Sequence, residues 1–553
     1  MDTPGLDEPP PDPVRRLRLR WVLVGTLAIV LAAGGFFAWR AAADQTRAAT
    51  ACADRVAQAV TDRQVLDGTF GTTAGPAEQD DLTATLKGMG TLRPVVTVES
   101  VQLDEQQRRG TARLQATWTI HQGKPAWLQD AYVQLVRGAD GWTAVWSRDL
   151  IASGLAPGDR LRAIRLAPER GEVIGADDER LVWNQEAKQI GLDKTLVPVA
   201  DQPAAARALA GAVGIDRDGY VAKVAAYGPR AFVEATVVRA VGSDGWATLA
   251  RVDRLRGVRV FDVVRPLALS GTFARALLGA VGPATADIIK ASGGSIRDGD
   301  LVGLGGLQKA RNEQLMGITG FTVQAYPDGH GEQARQLFSV PAVDGLPLRL
   351  TLNAARQQRA EALIGGEGRR ALVAIRPSDG AVLALASTPG TDTATSRRVY
   401  PDAFAPVDVL AKARPGGMDA AVAALGLTGE GDLGVPAFLS DTEGEKLRLS
   451  TYAIAAAVAS VGRGESVRPQ LIADEQQPGV DDGITADEVA AIRSAMRAAA
   501  SSARFKDLSG LGGAPLVAGD GTLWTVVLRG DLVVAGYDKD GRSAALVRDF
   551  IIG

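Results

Sequence analysis

The sequence predicts a multidomain α+β protein held behind a single N-terminal transmembrane helix. Three observations predict it: a long uncharged run near the N-terminus, alternating stretches with hairpin turns in the first and last thirds, and Ala-rich helical stretches between the C-terminal hairpins. At about 150 residues per domain, a chain of 553 residues has room for three or four folding units. Lys+Arg 61 against Asp+Glu 64 leaves a net charge of -3, and hydrophobic residues make up 46%. That balance excludes a basic nucleic-acid-binding chain and a disordered acidic one. Cys52 is the one cysteine, and His121 and His330 are the two histidines. Neither an intrachain disulfide nor the usual zinc set of three or four His/Cys ligands can be assembled from these. A carboxylate-only metal site stays open, no pattern marks one, and no cofactor is implied.

Trp21 to Trp39 are 19 residues without a charge, and as a helix they span about 28 Å, close to a bilayer's hydrocarbon core. Arg15, Arg16, Arg18 and Arg20 precede them, so residues 1–20 read as a cytoplasmic tail, 21–39 as the membrane helix, and the bulk as extracytoplasmic. Ala41-Ala42-Ala43 offers a cleaved signal peptide as the competing reading. Against it, the apolar run exceeds a usual signal core, and Trp39-Arg40 stand where small residues are wanted. Charged residues separate Cys52 from the apolar run, so Cys52 reads as a small buried side chain rather than a lipid-attachment site.

Residues 45–150 read as a small α+β cone. From Asp44 to Asp67, Val56, Val60 and intervening alanines recur at helical spacing. Leu114, Ala116, Trp118 and Ile120 then alternate with Gln115, Thr117 and Thr119 as in a half-buried strand. Gly138-Ala139-Asp140-Gly141 turns a hairpin between Tyr132–Val136 and Trp142–Trp146.

Residues 155–340 are Gly-rich and predict irregular structure, short strands such as Arg230–Val238, and a helix around Thr272–Leu278. Gly303-Leu304-Gly305-Gly306 lacks the Lys-Ser/Thr of a phosphate loop and the spacing of a dinucleotide fingerprint, so nucleotide binding is not expected.

Residues 345–553 predict an antiparallel sheet with packing helices. Ala371–Arg376 and Ala381–Ser387 flank Pro377-Ser378-Asp379-Gly380, and Leu523–Leu528 and Leu532–Tyr537 flank Arg529-Gly530-Asp531. Ala-rich helices are expected over Val407–Leu425 and Ser450–Val461. Thr485 with Glu488 forms a capping box that starts a third helix, stapled by Ile484 and Val489. Its Val489, Ile492 and Met496 share one face, so that helix packs.

Several stretches, in order, resemble the class B penicillin-binding proteins, membrane-anchored transpeptidases that cross-link bacterial peptidoglycan. Arg170-Gly171-Glu172-Val173-Ile174 and Asp177–Val182 are similar to the Arg-Gly-x-Ile segment that opens their dimerisation domain. Gly303–Gln308 with Leu315-Met316-Gly317 resembles the run that closes it, with Gly305 in place of a Ser. Leu350-Thr351-Leu352-Asn353 with Gln357, Ala360 and Glu361 resembles the opening of the transpeptidase domain, and Ala371–Pro389 resembles its first hairpin. Leu449–Ile472, with Ser450, Ala453, Ala457 and Pro469, resembles a later family helix. The resemblance implies an NTF2-like domain at 45–150, a dimerisation domain at 155–340, and a shortened transpeptidase/β-lactamase-like domain at 345–553.

Acyl transfer needs a nucleophile, a base within reach and oxyanion donors, which this family supplies through Ser-x-x-Lys, Ser-x-Asn and Lys-Thr/Ser-Gly motifs. Aligning Tyr400-Pro401 with the family's lead-in puts Phe404 in the nucleophile slot and Val407 in the lysine slot. No Lys in the chain has a Ser three positions before it, and neither Ser-x-Asn nor Lys-Thr/Ser-Gly occurs. Only 46 positions separate Phe404 from Ser450, so the stretch that carries Ser-x-Asn in active relatives reads as deleted. Val517–Thr522 aligns with the Lys-Thr-Gly strand, but Asp520 stands at the lysine, where it would repel a substrate carboxylate.

Catalytic residues are therefore expected to be none. The favoured expectation is a transpeptidase-like chain without its chemistry, acting as scaffold or regulator of cell-wall synthesis or division proteins. A muropeptide-binding sensor using the old cleft is the alternative. A third reading makes Ser440, in Leu439-Ser440-Asp441-Thr442, or Ser396 beside Arg397, an unorthodox nucleophile. Arg is too strongly protonated to act as base, and a Ser in an Asp-containing loop is ordinarily a turn residue. His121 and His330 read as loop residues.

Overall fold

The computed structural model describes residues 39–40, 42–65, 68–120, 123–240, 243–366, 368–389, 391–396, 404–443, 446–475 and 477–553. The expected membrane helix lies, apart from Trp39, outside the described residues. Among those described, no helix is long and apolar enough to cross a membrane. The chain divides into two compact units, residues 1–167 with 319–342, and residues 168–318 with 343–553.

In the first unit a helix over 42–62 presents Ala49, Cys52, Ala53, Val56, Ala59 and Val60, all buried, along one side. Small side chains at i, i+3 and i+4 let the helix sit close to its neighbours, and Cys52 is a buried free thiol. Strands Pro94–Leu103, Arg109–Trp118, Trp127–Gly138 and Gly141–Ala144 form a sequential antiparallel sheet. The alternation read at 114–118 is present: Leu114, Ala116 and Trp118 are buried while Gln115 and Thr117 are less so.

A boundary at residue 155 does not coincide with this division. Strands Asp159–Leu166, Gly320–Pro327 and Arg335–Val340 form a three-stranded sheet. Their Leu161, Phe321, Val323 and Ala325 join the hydrophobic core of the first unit. The chain leaves that core near residue 167 and returns near 319, an excursion that local pattern cannot reveal because the strands that meet lie more than 150 positions apart.

The second unit begins with more regular structure than the glycine content suggested. Arg180–Asp193 is a 14-residue strand, not a short one, paired on both sides with Phe232–Arg239 and Val258–Ala268. Helices Gln202–Val213 and Arg217–Ala226 pack over this sheet through Leu209, Ala210, Tyr220 and Val224. Many of the strand residues are polar and partly exposed, so their hydropathy did not announce a strand. Pairing on both edges satisfies the backbone regardless. The helix expected at 272–278 is confined to Arg275–Leu278, after Ala274 in a left-handed conformation.

The rest of the second unit positions the candidate site. Helix α1 (Ala354–Ile364) starts at Asn353, whose side chain accepts from the Arg356 amide. Strands β1 (Arg370–Arg376) and β2 (Ala381–Ser387) form the predicted first hairpin. Then follow α2 (Ala405–Ala413), α3 (Gly417–Ala424), α4 (Thr451–Arg463) and α5 (Ala486–Ala500). Strands β3 (Leu516–Gly519), β4 (Trp524–Leu528) and β5 (Val533–Asp538) precede the last helix, α6 (Ser543–Ile552). The sheet order is β2-β1-β5-β4-β3, antiparallel throughout. One face packs on α4, whose residues from Thr451 to Val461 are all buried, and the other on α1 and α6. This explains why β1, β4 and β5 are continuous apolar runs rather than alternating ones.

The single helix expected over Val407–Leu425 is two. Pro415 supplies no amide, and Gly416 takes φ 99°, a left-handed backbone that a Cβ would disfavour. At the break, the Arg414 guanidinium makes two bonds to the Glu488 carboxylate, 2.6 and 2.8 Å, and a third of 2.7 Å to the Gly483 carbonyl. The α2–α3 corner is thereby tied to the capping box that begins α5, where the Thr485 hydroxyl accepts from the Glu488 amide.

Candidate functional site

The candidate site is the N-terminus of α2 facing the β3–β4 hairpin. Pro406 preorganises the first turn of α2, which places Phe404 as N-cap and Val407 one turn on, along the same side. Phe404 and Val407 are each 1% exposed. The Phe404 side chain makes no cap bond, as a phenyl ring must. It meets Trp524 of β4 edge to face instead, ring centroids 5.6 Å apart at 80°, and Trp524 is itself buried. Apolar rings close this position against water.

The hairpin beside it is tight, with four residues from Asp520 to Leu523 joining β3 and β4. Asp520 Oδ1 accepts from the amides of Thr522 (2.7 Å) and Trp524 (3.1 Å). Asp520 therefore serves as the turn's own backbone acceptor, a structural role that the charge-reversal argument from sequence did not anticipate. Gly519 has φ +135°, and a Cβ there would lie 2.5 Å from the Trp524 carbonyl oxygen, so the turn depends on that glycine.

The hydroxyls singled out from sequence lie elsewhere. Ser440 Oγ donates to the Leu427 carbonyl at 2.6 Å, and the adjacent Asp441 is engaged by Arg448 through two 2.6 Å bonds. Ser396 Oγ donates to Asp392 Oδ1 (2.6 Å) and to the Asp392 carbonyl, a local bond one turn back, while Arg397 lies outside the described residues. Ser450 caps α4 by accepting from the Ala453 amide. His330 is exposed beside Glu332, its Nδ1 at 3.2 Å from Oε1, and His121, Tyr400 and Pro401 lie outside the described residues. Among the described residues, no group of three or more His, Cys, Asp or Glu could hold a metal ion. Phe404, Val407 and Trp524 supply neither nucleophile nor base, and the Asp520 carboxylate is taken up by the amides of its own turn. In the sequence Trp524 is one apolar residue of a strand, and nothing in its context marks it as the partner of Phe404.

Two segments resembling family motifs have structural roles here. Arg170 is buried and its guanidinium bonds Gln308 Oε1 (2.9 Å), the Gln308 carbonyl (3.0 Å) and Asn312 Oδ1 (3.0 Å). Burial pushes Arg170 down to about 10, and its acceptors are all neutral. Gln357 on α1 clamps β2, accepting from the Leu385 amide and donating to its carbonyl.

The second unit thus contains a five-stranded antiparallel sheet covered by helices on both faces. Residues 165–350 match the family described as Penicillin-binding Protein dimerisation domain, and in that stretch the chain is similar to penicillin-binding proteins. It is 35% identical over 91 residues to Peptidoglycan D,D-transpeptidase MrdA of Salmonella typhimurium, in strains SL1344 and LT2 alike. That match covers 16% of this chain and 14% of the relative, so the chain spans a small part of the curated relatives it matches. A solved structure, the complex between Penicillin-Binding Protein (PBP2) and MreC from Helicobacter pylori, superposes with a TM-score of 0.51 at 13% identity. The superposition covers 70% of this chain and 98% of that one, and shows a shared fold.

Proposed function

We propose that this chain is a protein of bacterial cell-wall synthesis that has lost acyl transfer and acts by contact, as scaffold or regulator of peptidoglycan synthesis enzymes. What supports the reading is the burial of Phe404 and Val407, a phenyl and an isopropyl group at the positions aligned with the hydroxyl and the base that acylation requires, with the Phe404 ring packed on Trp524. The absence of any Ser-x-x-Lys, Ser-x-Asn or Lys-Thr/Ser-Gly sequence supports it independently.

In this reading residues 45–150 are NTF2-like, 155–340 correspond to the dimerisation domain and 345–553 to the degenerate transpeptidase domain. Residues 21–39 anchor the chain once in the membrane with the bulk outside, a placement supported by the uncharged run and the arginines before it. The solved protein that shares the fold is in complex with MreC, and a cell-wall synthesis or division protein is the partner class this chain would engage.

The test is labelling of the purified full chain with a fluorescent penicillin. No covalent adduct is expected, and an adduct on any hydroxyl overturns the reading. Affinity purification from membranes should recover cell-wall synthesis or division proteins. Recovery of muropeptide alone would favour the sensor reading.

A further inference from the structure

The second unit holds a cavity of about 670 Å3 that the reading above leaves unused, and neither Phe404, Val407 nor Asp520 lines it. Its volume falls within the roughly 300–1,000 Å3 of small-molecule pockets. The walls are apolar in large part, with Leu277, Ile364, Leu385, Pro389 and Val435 among them. Glu361, projecting from α1, is the half-buried charge in this lining. Its Oε1 accepts from Gln357 Nε2 (2.7 Å) and from the Ala274 amide (2.5 Å). The second oxygen, Oε2, accepts no hydrogen bond from any described residue.

The Ala274 bond accounts for one oxygen, since it holds an alanine at φ 44° in a conformation that favours glycine. The other oxygen stays open to solvent. Burial raises the Glu361 carboxyl above its ordinary value, and no cation offsets the desolvation. Asp392 adds a second carboxylate to the lining, against the single exposed guanidinium of Arg275. A half-desolvated carboxylate beside an apolar wall is complementary to a cation carried on an apolar stem.

We propose that this cavity binds a small cationic amphiphile, an alkylammonium whose charge sits against Glu361 and whose stem lies along Leu277, Ile364 and Leu385. The proposal is independent of the scaffold reading and would stand or fall whether or not the chain reacts with penicillin.

Saturation-transfer NMR on the full chain in a neutral detergent, with empty micelles as the blank, tests it using n-hexylammonium, n-hexanol and hexanoate as probes. Hexylammonium should bind more tightly than hexanol, and hexanoate should not bind. Glu361→Gln, which retains an oxygen for the Ala274 amide, should weaken hexylammonium by about tenfold while leaving hexanol unchanged. Ala276→Trp, at an exposed lining position, should block both without disturbing the core. Equal affinity of hexylammonium for the wild type and Glu361→Gln, undiminished binding to Ala276→Trp, or hexanoate binding as well as hexylammonium would each overturn the proposal.

Discussion

Phe404 at the start of α2 and Trp524 at the start of β4 meet edge to face, 5.6 Å between ring centroids, and both are almost wholly shielded from solvent. The contact joins a helix terminus to the edge of a hairpin in the sheet. Here it is part of the hydrophobic core that runs through α2, α4 and the sheet.

Because the ring is a packing element, Phe404→Ala should cost about 3–5 kcal/mol through the cavity left beside Trp524. The double substitution Phe404→Ser, Val407→Lys rebuilds Ser-x-x-Lys on paper but buries an ammonium with no partner in view. It should lower Tm further and yield no penicillin adduct. Urea titration and labelling check the two halves, and an adduct would mean that the cleft re-forms once the rings are removed.

Asp520→Ala removes the acceptor for two turn amides and should destabilise by about 1–2 kcal/mol. Asp520→Asn, which keeps one oxygen, should recover most of that. Asp520→Lys should resemble the alanine variant. A lysine variant as stable as wild type would show that the side-chain bonds in this hairpin contribute little. Thermal melts of the three proteins suffice.

The Arg414–Glu488 pair carries a pH dependence. Hydrogen bonds from the Arg414 guanidinium bring the Glu488 carboxyl down from 4.5 to about 2. A carboxyl whose folded pKa is depressed contributes stability that is fully present above its unfolded value, and that stability is lost as pH falls from about 4.5 toward 2. The Glu488→Gln protein should show a shallower loss of stability across that window, while the two converge at its acid end. Parallel Tm curves from pH 5 to 2.5 would contradict the pairing.

Arg170 donates to three neutral acceptors in a buried setting. Arg170→Leu should cost about 2–4 kcal/mol, because Gln308 Oε1, Asn312 Oδ1 and a backbone carbonyl lose their donor together. Arg170→Lys should rescue little, since an ammonium cannot reproduce the planar fork. Urea midpoints compare the three, and a lysine protein matching wild type would reject the fork argument.

Much of the second unit was legible in the sequence. The hairpins at 371–387 and 523–537, the Thr485–Glu488 capping box and the Ala-rich helix expected over Ser450–Val461 are local patterns, and each is found within a residue or two of where it is expected. The long strand Arg180–Asp193 was missed because its polar residues show no period, and the 407–425 helix was over-extended because its alanines outweighed Pro415-Gly416. Trp524 escaped notice as a site residue because an apolar residue opening an apolar strand carries no mark of its distant neighbour.

By itself the sequence determined which chemical groups exist: no Ser-x-x-Lys, no Lys-Thr/Ser-Gly, and a phenyl and an isopropyl group in the aligned slots. Tertiary structure decided what those groups do. It set Phe404 on Trp524, turned Asp520 onto its own hairpin amides, left Glu361 with one unclaimed oxygen on a cavity, and drew 159–166 and 320–340 into the first unit's core. Hydropathy periods and caps act over a few residues, whereas the Phe404–Trp524 contact and the pairing of 159–166 with 320–327 join positions scores of residues apart and arise only when the whole chain packs.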